Sequence, residues 1–135
     1  MGKHGQHRAL VTVLALAAAG PATAECRLAL LLALDISASV DEREDSFQRS
    51  GLARALLAPA VQDALLADPG SQVWLAVYEW SGPYTQVELL PWLEIASAED
   101  LSLAAGAIAG SKRSHDDQPT ALGHAVAYAA KLFRS

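Results

Sequence analysis

Leu28-Ala29-Leu30-Leu31-Leu32-Ala33-Leu34-Asp35, followed by Ile36-Ser37-Ala38-Ser39, is the stretch on which the fold turns. Leu28 to Leu34 is apolar without alternation and stops at a carboxylate. Such a run reads as a strand covered on both faces, as in a parallel sheet flanked by helices. Leucine and alanine also build helices, so periodicity alone leaves both states open. The polar Asp35–Ser39 segment favours a strand that runs into a loop at its carboxyl end. A strand of this kind needs neighbours on both sides.

Working outward, Asp41 and Glu44 have capping-box spacing, and Glu42 and Asp45 suit the positive end of a helix dipole. A helix is expected from Asp41, with Phe47, Leu52, Ala55 and Leu56 as its apolar stripe and Arg43, Gln48, Arg49 and Arg54 mostly outside it. Pro59 ends it, and Val61–Leu66 reads as a short second helix before the Asp68-Pro69-Gly70-Ser71 turn. Val73–Glu79 is rich in β-branched and aromatic residues and predicts a strand. Trp80-Ser81-Gly82-Pro83 then turns the chain into a second strand, Tyr84–Leu90, as an antiparallel hairpin. Pro91–Ile95 continues as an edge segment, because proline cannot donate to a ladder. Ser97 and Asp100 open another helix that Gly110 closes. After the polar Ser111–Pro119 stretch, Ala121–Phe133 has the spacing of a last helix, with Leu122, Val126, Ala129, Ala130 and Phe133 near one face.

Upstream, Met1–Arg8 is basic, Ala9–Ala19 is apolar but for Thr12, and Ala22-Thr23-Ala24 offers small residues at a cleavage site. This is the pattern of a secretory signal peptide, too short to span a bilayer stably. The expected organisation is a signal peptide over 1–24 and one domain over 25–135, with a periplasmic or secreted product and no stable membrane insertion. At 135 residues, with 52% hydrophobic and 19% charged side chains, the chain has the size and composition of one folded domain. Lysine and arginine number 10 against 15 acids, a net charge of −5 that argues against nucleic-acid binding. Cys26 is the one cysteine, which excludes an intramolecular disulfide and a cysteine-rich zinc site. Glu25 stands where a lipoprotein signal needs a small residue, which argues against lipidation.

The chemistry concentrates at Asp35-x-Ser37-x-Ser39. Hard divalent cations take oxygen ligands, and Mg²⁺ keeps waters and uses few carboxylates. One carboxylate and two hydroxyls on a tight loop supply such a set, at the sheet edge where α/β proteins commonly bind ligands. The same spacing equally describes a strand end followed by helix-capping serines. Thr120, ahead of the last helix, would bring a further hydroxyl to that edge. His115 and His124 lack a nucleophile elbow and read as solvated side chains. Glu79 reads as a strand-end charge reaching solvent, although a carboxylate there would lie near the loop. Trp74 is expected in the core, with Trp80 and Trp92 over the sheet edge. Asp116-Asp117 reads as a helix-capping pair and Lys112-Arg113 as a run too short to signal nucleic acid or membrane.

Three segments carry a family resemblance: Leu34-Asp35-Ile36-Ser37-Ala38-Ser39-Val40-Asp41, Ala76-Val77-Tyr78-Glu79-Trp80-Ser81-Gly82 and Pro119-Thr120-Ala121-Leu122-Gly123. They resemble the bacterial DUF1194 family, related to von Willebrand factor type A (VWA) domains, and the likeness extends from about Cys26 to Phe133. The middle segment is the most specific to the family. The resemblance implies an α/β fold: a Rossmann-like, VWA-type, mostly parallel sheet with helices on both faces and one antiparallel edge hairpin. It further implies a metal-ion-dependent adhesion site (MIDAS) at the carboxyl edge. Carried over by motif, Asp35, Ser37, Ser39 and Thr120 would hold Mg²⁺, or another divalent cation such as Mn²⁺ or Ca²⁺. An acidic group of a protein partner would complete the coordination. The family's third-loop aspartate follows a further core strand that lies beyond this sequence; Asp116 and Asp117 do not match it. The chain therefore reads as a C-terminally truncated member, lacking the C-terminal strands, and Cys26 as a free thiol, a link to another chain or the remainder of a lost pair.

The function expected on this basis is metal-dependent protein binding rather than catalysis. A structural module without metal is the first rival and a metal-assisted hydrolase the second.

Overall fold

In the computed structural model, which describes residues 25–134, two strands run side by side because the crossover between them carries two helices. Strand β1 (Glu25–Asp35) is followed by α1 (Glu42–Leu56) and α2 (Pro59–Leu65), and β2 (Ser71–Ser81) then lies parallel to β1. Strand β3 (Thr85–Glu94) folds back antiparallel on β2, and α3 (Ala98–Gly110) and α4 (Leu122–Leu132) follow. The result is an α/β fold with a mixed sheet in the order β1-β2-β3, consistent with a Rossmann-like architecture. The signal-peptide reading falls on residues 1–24, outside the described residues. No helix among the described residues is long and apolar enough to cross a membrane.

Local chemistry accounts for the starts of α1, α2 and α3, whereas α4 has Ala121 at its N-cap and no side-chain cap bond, so Asp116 and Asp117 do not cap it. Asp41 accepts from the Glu44 amide at 2.8 Å while Glu44 accepts from the Asp41 amide at 3.0 Å, a reciprocal capping box. Ser97 and Asp100 repeat the device at α3. Pro59 opens α2, where its missing N–H costs nothing. The β2–β3 turn passes through Gly82 at φ 53°, a left-handed conformation that glycine adopts freely. Pairing slips at two points along β3, one of them spanning Pro91, so the residue that cannot donate sits at a bulge.

Alternation along β2 divides the core. Val73, Leu75 and Val77 pack with Leu34, with Ala53 and Leu56 of α1 and with Leu101, Ala104, Ala105 and Ile108 of α3. Tyr78 and Trp80 pack on the other face with Ala125, Tyr128, Ala129 and Leu132 of α4 and with Leu31 of β1. Helices therefore cover both faces. Among the described residues β1 pairs only with β2, and apart from Leu34 its apolar side chains are half-buried or exposed.

Three sequence expectations are corrected. Helix α1 buries Asp45, Arg49, Ala53 and Leu56, while Phe47 is 57% exposed. The helix is rotated relative to the apolar stripe because a carboxylate on β2, Glu79, draws Arg49 inward. In α4 the buried position is Ala125, whose carbonyl accepts from the Tyr78 hydroxyl at 2.9 Å, and Leu122, Val126 and Phe133 are exposed. Trp80 is the buried tryptophan, whereas Trp74 and Trp92 line an apolar groove with Cys26, Ala29, Leu132 and Phe133. Trp92 donates through Nε1 to the Leu132 carbonyl at 3.0 Å.

Candidate functional site

Strand β1 ends at Asp35, and the chain leaves the sheet through Ile36 and Ser37, both buried, before Ala38 and Ser39 reach the surface. The Ile36 amide still bonds the Trp80 carbonyl at 3.0 Å, so the loop starts from a fixed point. Asp35 Oδ1 accepts from the Ser37 amide at 2.8 Å, and the Asp35 carbonyl accepts from Gln48 of α1 at 3.0 Å. These bonds bend the loop so that the hydroxyls of Ser37 and Ser39 stand 3.1 Å apart.

The third hydroxyl arrives from a distant part of the chain. Thr120 Oγ1 lies 3.0 Å from Ser37 Oγ and 3.5 Å from Ser39 Oγ. One backbone bond ties the 111–121 segment to the first loop, Ala38 N–H to the Gln118 carbonyl at 2.8 Å, and another ties it to the hairpin turn, Gly82 N–H to the Pro119 carbonyl at 2.7 Å. A side chain at Gly82 would meet the Gln118 side chain at 3.0 Å, so the hairpin turn and this segment touch closely. The structure thus brings Ser37, Ser39 and Thr120 into one cluster, with Asp35 bonded to the Ser37 backbone.

The donor set selects its ligand chemistry. No group of three or more His, Cys, Asp or Glu side chains that could hold a metal occurs among the described residues. One carboxylate with three hydroxyls suits a hard cation that retains water. For metal–oxygen bonds of about 2.1 Å in an octahedron, adjacent ligands are about 3 Å apart. The 3.0 and 3.1 Å hydroxyl separations fit that spacing. They also allow hydroxyl hydrogen bonds, at the long end of the usual range.

Beside the cluster lies an ionic network that the sequence reading missed. Glu79 is fully buried, contrary to the expectation that it reaches solvent. Its Oε2 accepts from Arg49 Nη2 at 2.6 Å and its Oε1 from the Ser114 amide at 3.1 Å. Arg49 also binds Asp45 through Nε and Nη2, and donates from Nη1 to Ser111 Oγ at 2.5 Å. Burial alone would lower the Arg49 pKa, but the bonds and charges of Asp45 and Glu79 outweigh it and hold the guanidinium above its ordinary value. Arg113, half-buried, donates to the carbonyls of Ile36, Ser37 and Val40 and to that of His115. The Ala76–Gly82 segment signalled Glu79 only as a residue near the loop. Arg113 had no sequence signal, because its partners are backbone carbonyls.

The remaining candidates lie outside the cluster. His115 and His124 are exposed, and His115 Nδ1 is 3.1 Å from the adjacent Ser114 Oγ. Asp116 and Asp117 are exposed as well; Asp117 accepts from Gln118, and Asp116 borders an open polar hollow with Glu42, Asp45, Arg113, Ser114 and His115.

Fold and site together define an α/β protein with an oxygen-rich loop cluster at the carboxyl edge of a parallel strand pair. The family described as "Protein of unknown function (DUF1194)" matches residues 25–135, and the chain belongs to that family. Comparison with curated proteins and with solved structures gave no match.

Proposed function

We propose that this protein is a secreted or periplasmic VWA-like domain that binds a protein partner through a divalent cation at a MIDAS-type site. One observation carries the reading: hydroxyls from segments 83 residues apart converge beside the carboxylate that ends β1. Asp35 supplies the charge, directly or through water, while Ser37, Ser39 and Thr120 supply neutral oxygens. A cation bound there would offer an open coordination position to an acidic group of the partner. Mg²⁺ suits the donor set best, with Mn²⁺ and Ca²⁺ as alternatives. The likeness of the three motifs to type A domains supports the same view, and the leader-like 1–24 segment supports export.

The test is titration calorimetry with Mg²⁺ and Mn²⁺ on the wild type and Asp35→Ala. Saturable binding that disappears in a folded Asp35→Ala variant is expected; equal binding by both would refute the assignment. Amino-terminal sequencing of the exported protein should begin at Glu25, and an intact Met1 would refute the leader.

A second reading is a structural module without metal. It is favoured by the bond from the Ser37 amide to Asp35 Oδ1 and by the mutual hydroxyl bonds, which would satisfy the loop internally. Absence of divalent-ion binding in the wild type would establish it over the first.

A further inference from the structure

The hydroxyl cluster depends on two loops keeping their separation, and neither loop has secondary structure to enforce it. Ser37 and Ser39 lie between β1 and α1, and Thr120 lies between α3 and α4. Two backbone bonds cross between the first loop, the hairpin and the second loop at Ala38 and Gly82. The larger share of the connection passes through one guanidinium.

Arg113 Nη2 donates to the Ile36 carbonyl at 2.9 Å and to the Ser37 carbonyl at 2.8 Å, and Nη1 donates to the Val40 carbonyl at 2.8 Å. Its Nε donates to the His115 carbonyl at 2.7 Å, within its own segment. Three carbonyls of one tight loop therefore converge on a single planar cation that is also tied to the second loop. A guanidinium presents five N–H groups in a rigid fork, which an ammonium cannot reproduce. The Arg113 backbone is itself anchored on either side: Ser111 Oγ takes a bond from Arg49, and the Ser114 amide gives one to Glu79. The connection runs from buried charges on α1 and β2, through residues 111–114, to the backbone of the serine loop.

We propose that Arg113 is the positioning residue of the oxygen cluster. Its fork fixes the 36–40 backbone against the 111–121 segment, so that Ser37, Ser39 and Thr120 stand as one preorganised set. This deepens the metal-site reading above and rests on it for the binding readout, while the loop geometry has a readout of its own. The sign of the effect separates positioning from plain electrostatics. Removing a positive charge near a cation site favours the cation by Coulomb's law. Losing a group that orients the ligands weakens it, typically by 10–100-fold for outer partners of metal sites.

The experiment uses the full chain as wild type, Arg113→Ala and Arg113→Lys. Mn²⁺ affinity is measured by calorimetry, and exchange of the Ala38 and Ile95 amides by NMR. The Ala38 amide bonds across to Gln118, whereas Ile95 bonds Val73 at the other end of the sheet. Arg113→Ala is expected to bind Mn²⁺ about 10-fold more weakly or worse. Its Ala38 amide should exchange faster while Ile95 keeps its protection. Arg113→Lys, which retains charge without the fork, should move both readouts the same way; it alone decides if the alanine variant does not fold. Unchanged or tighter Mn²⁺ binding in a folded variant overturns the proposal. If the wild type takes up no Mn²⁺, the metal reading fails by itself and Ala38 exchange decides: faster exchange in the variants sustains the positioning role, and unchanged exchange overturns it.

Discussion

Two polar groupings stand near the carboxyl ends of β1 and β2, and they are built on opposite terms. Asp45, Arg49 and Glu79 are buried and charged, and their hydrogen bonds link α1, β2 and the start of the second loop. Ser37, Ser39 and Thr120 are neutral and bond one another; Ser37 is buried beneath, and Ser39 and Thr120 are exposed. Charges removed from water must be paired, so the first grouping commits its donors to protein partners. Exposed hydroxyls keep lone pairs available. The buried set carries structure, and the open set is where a ligand would be met.

The comparison breaks first at Glu79. Glu79→Ala leaves Arg49 buried beside Asp45 without its second carboxylate, and a loss of about 3–5 kcal/mol is expected in urea unfolding. A loss below about 1 kcal/mol would show that the pair is solvated in solution. Ser37→Ala, at the buried end of the hydroxyl cluster, should cost about 1 kcal/mol, because two hydroxyl bonds go while the exposed Ser39 and Thr120 rehydrate. The same variant should weaken Mn²⁺ binding in calorimetry, and a stability loss as large as that of Glu79→Ala would erase the distinction.

Asp100 gives a surface reference. Its pKa is lowered chiefly by the Ser97 hydroxyl and further by the Ala96 and Ser97 amides. A carboxyl depressed by folding adds stability above the ordinary carboxylate range, and that stability is lost as pH falls through the depressed value. Asp100→Asn should therefore cost about 0.5–1 kcal/mol at neutral pH and flatten the acid limb of the stability profile, followed by circular dichroism. Smallest of all, Phe47→Ala should cost less than about 0.5 kcal/mol, because the ring is exposed and its main partner is the Arg43 guanidinium 5.2 Å away. A loss of about 3 kcal/mol in a thermal melt would restore Phe47 to the core.

What was legible in the sequence had partners close by or a fixed place at a strand end. Both capping boxes join residues three apart, and the hairpin is joined by a short turn. The convergence of Ser37, Ser39 and Thr120 could be anticipated because the motifs placed all three at one sheet edge. The buried stripe of α1 was hidden for a different reason. Positions 45, 49, 53 and 56 have helical spacing, but two of them are charged, and charge on a helix ordinarily marks the solvent face. Remote partners of Arg49, Glu79 30 residues and Ser111 62 residues further on, turn that face inward. In α4 the large side chains pointed the reading one way, while the small Ala125 is the buried residue that packs with Tyr78 and Trp80. Periodicity reports which residues share a face and leaves open which face the neighbouring sheet can accept.

The distance along the chain between Ser37 and Thr120 also bears on the order of assembly. Contacts between remote residues require a long loop to close, an entropic cost that local turns and helices avoid. The strands and α1–α3 all lie between or before these two hydroxyls. A newly made chain whose sheet has formed, but whose 111–121 segment has not docked, displays the two serines without the threonine. The cluster is then a mark of completed folding: an incompletely folded molecule lacks one of its oxygens.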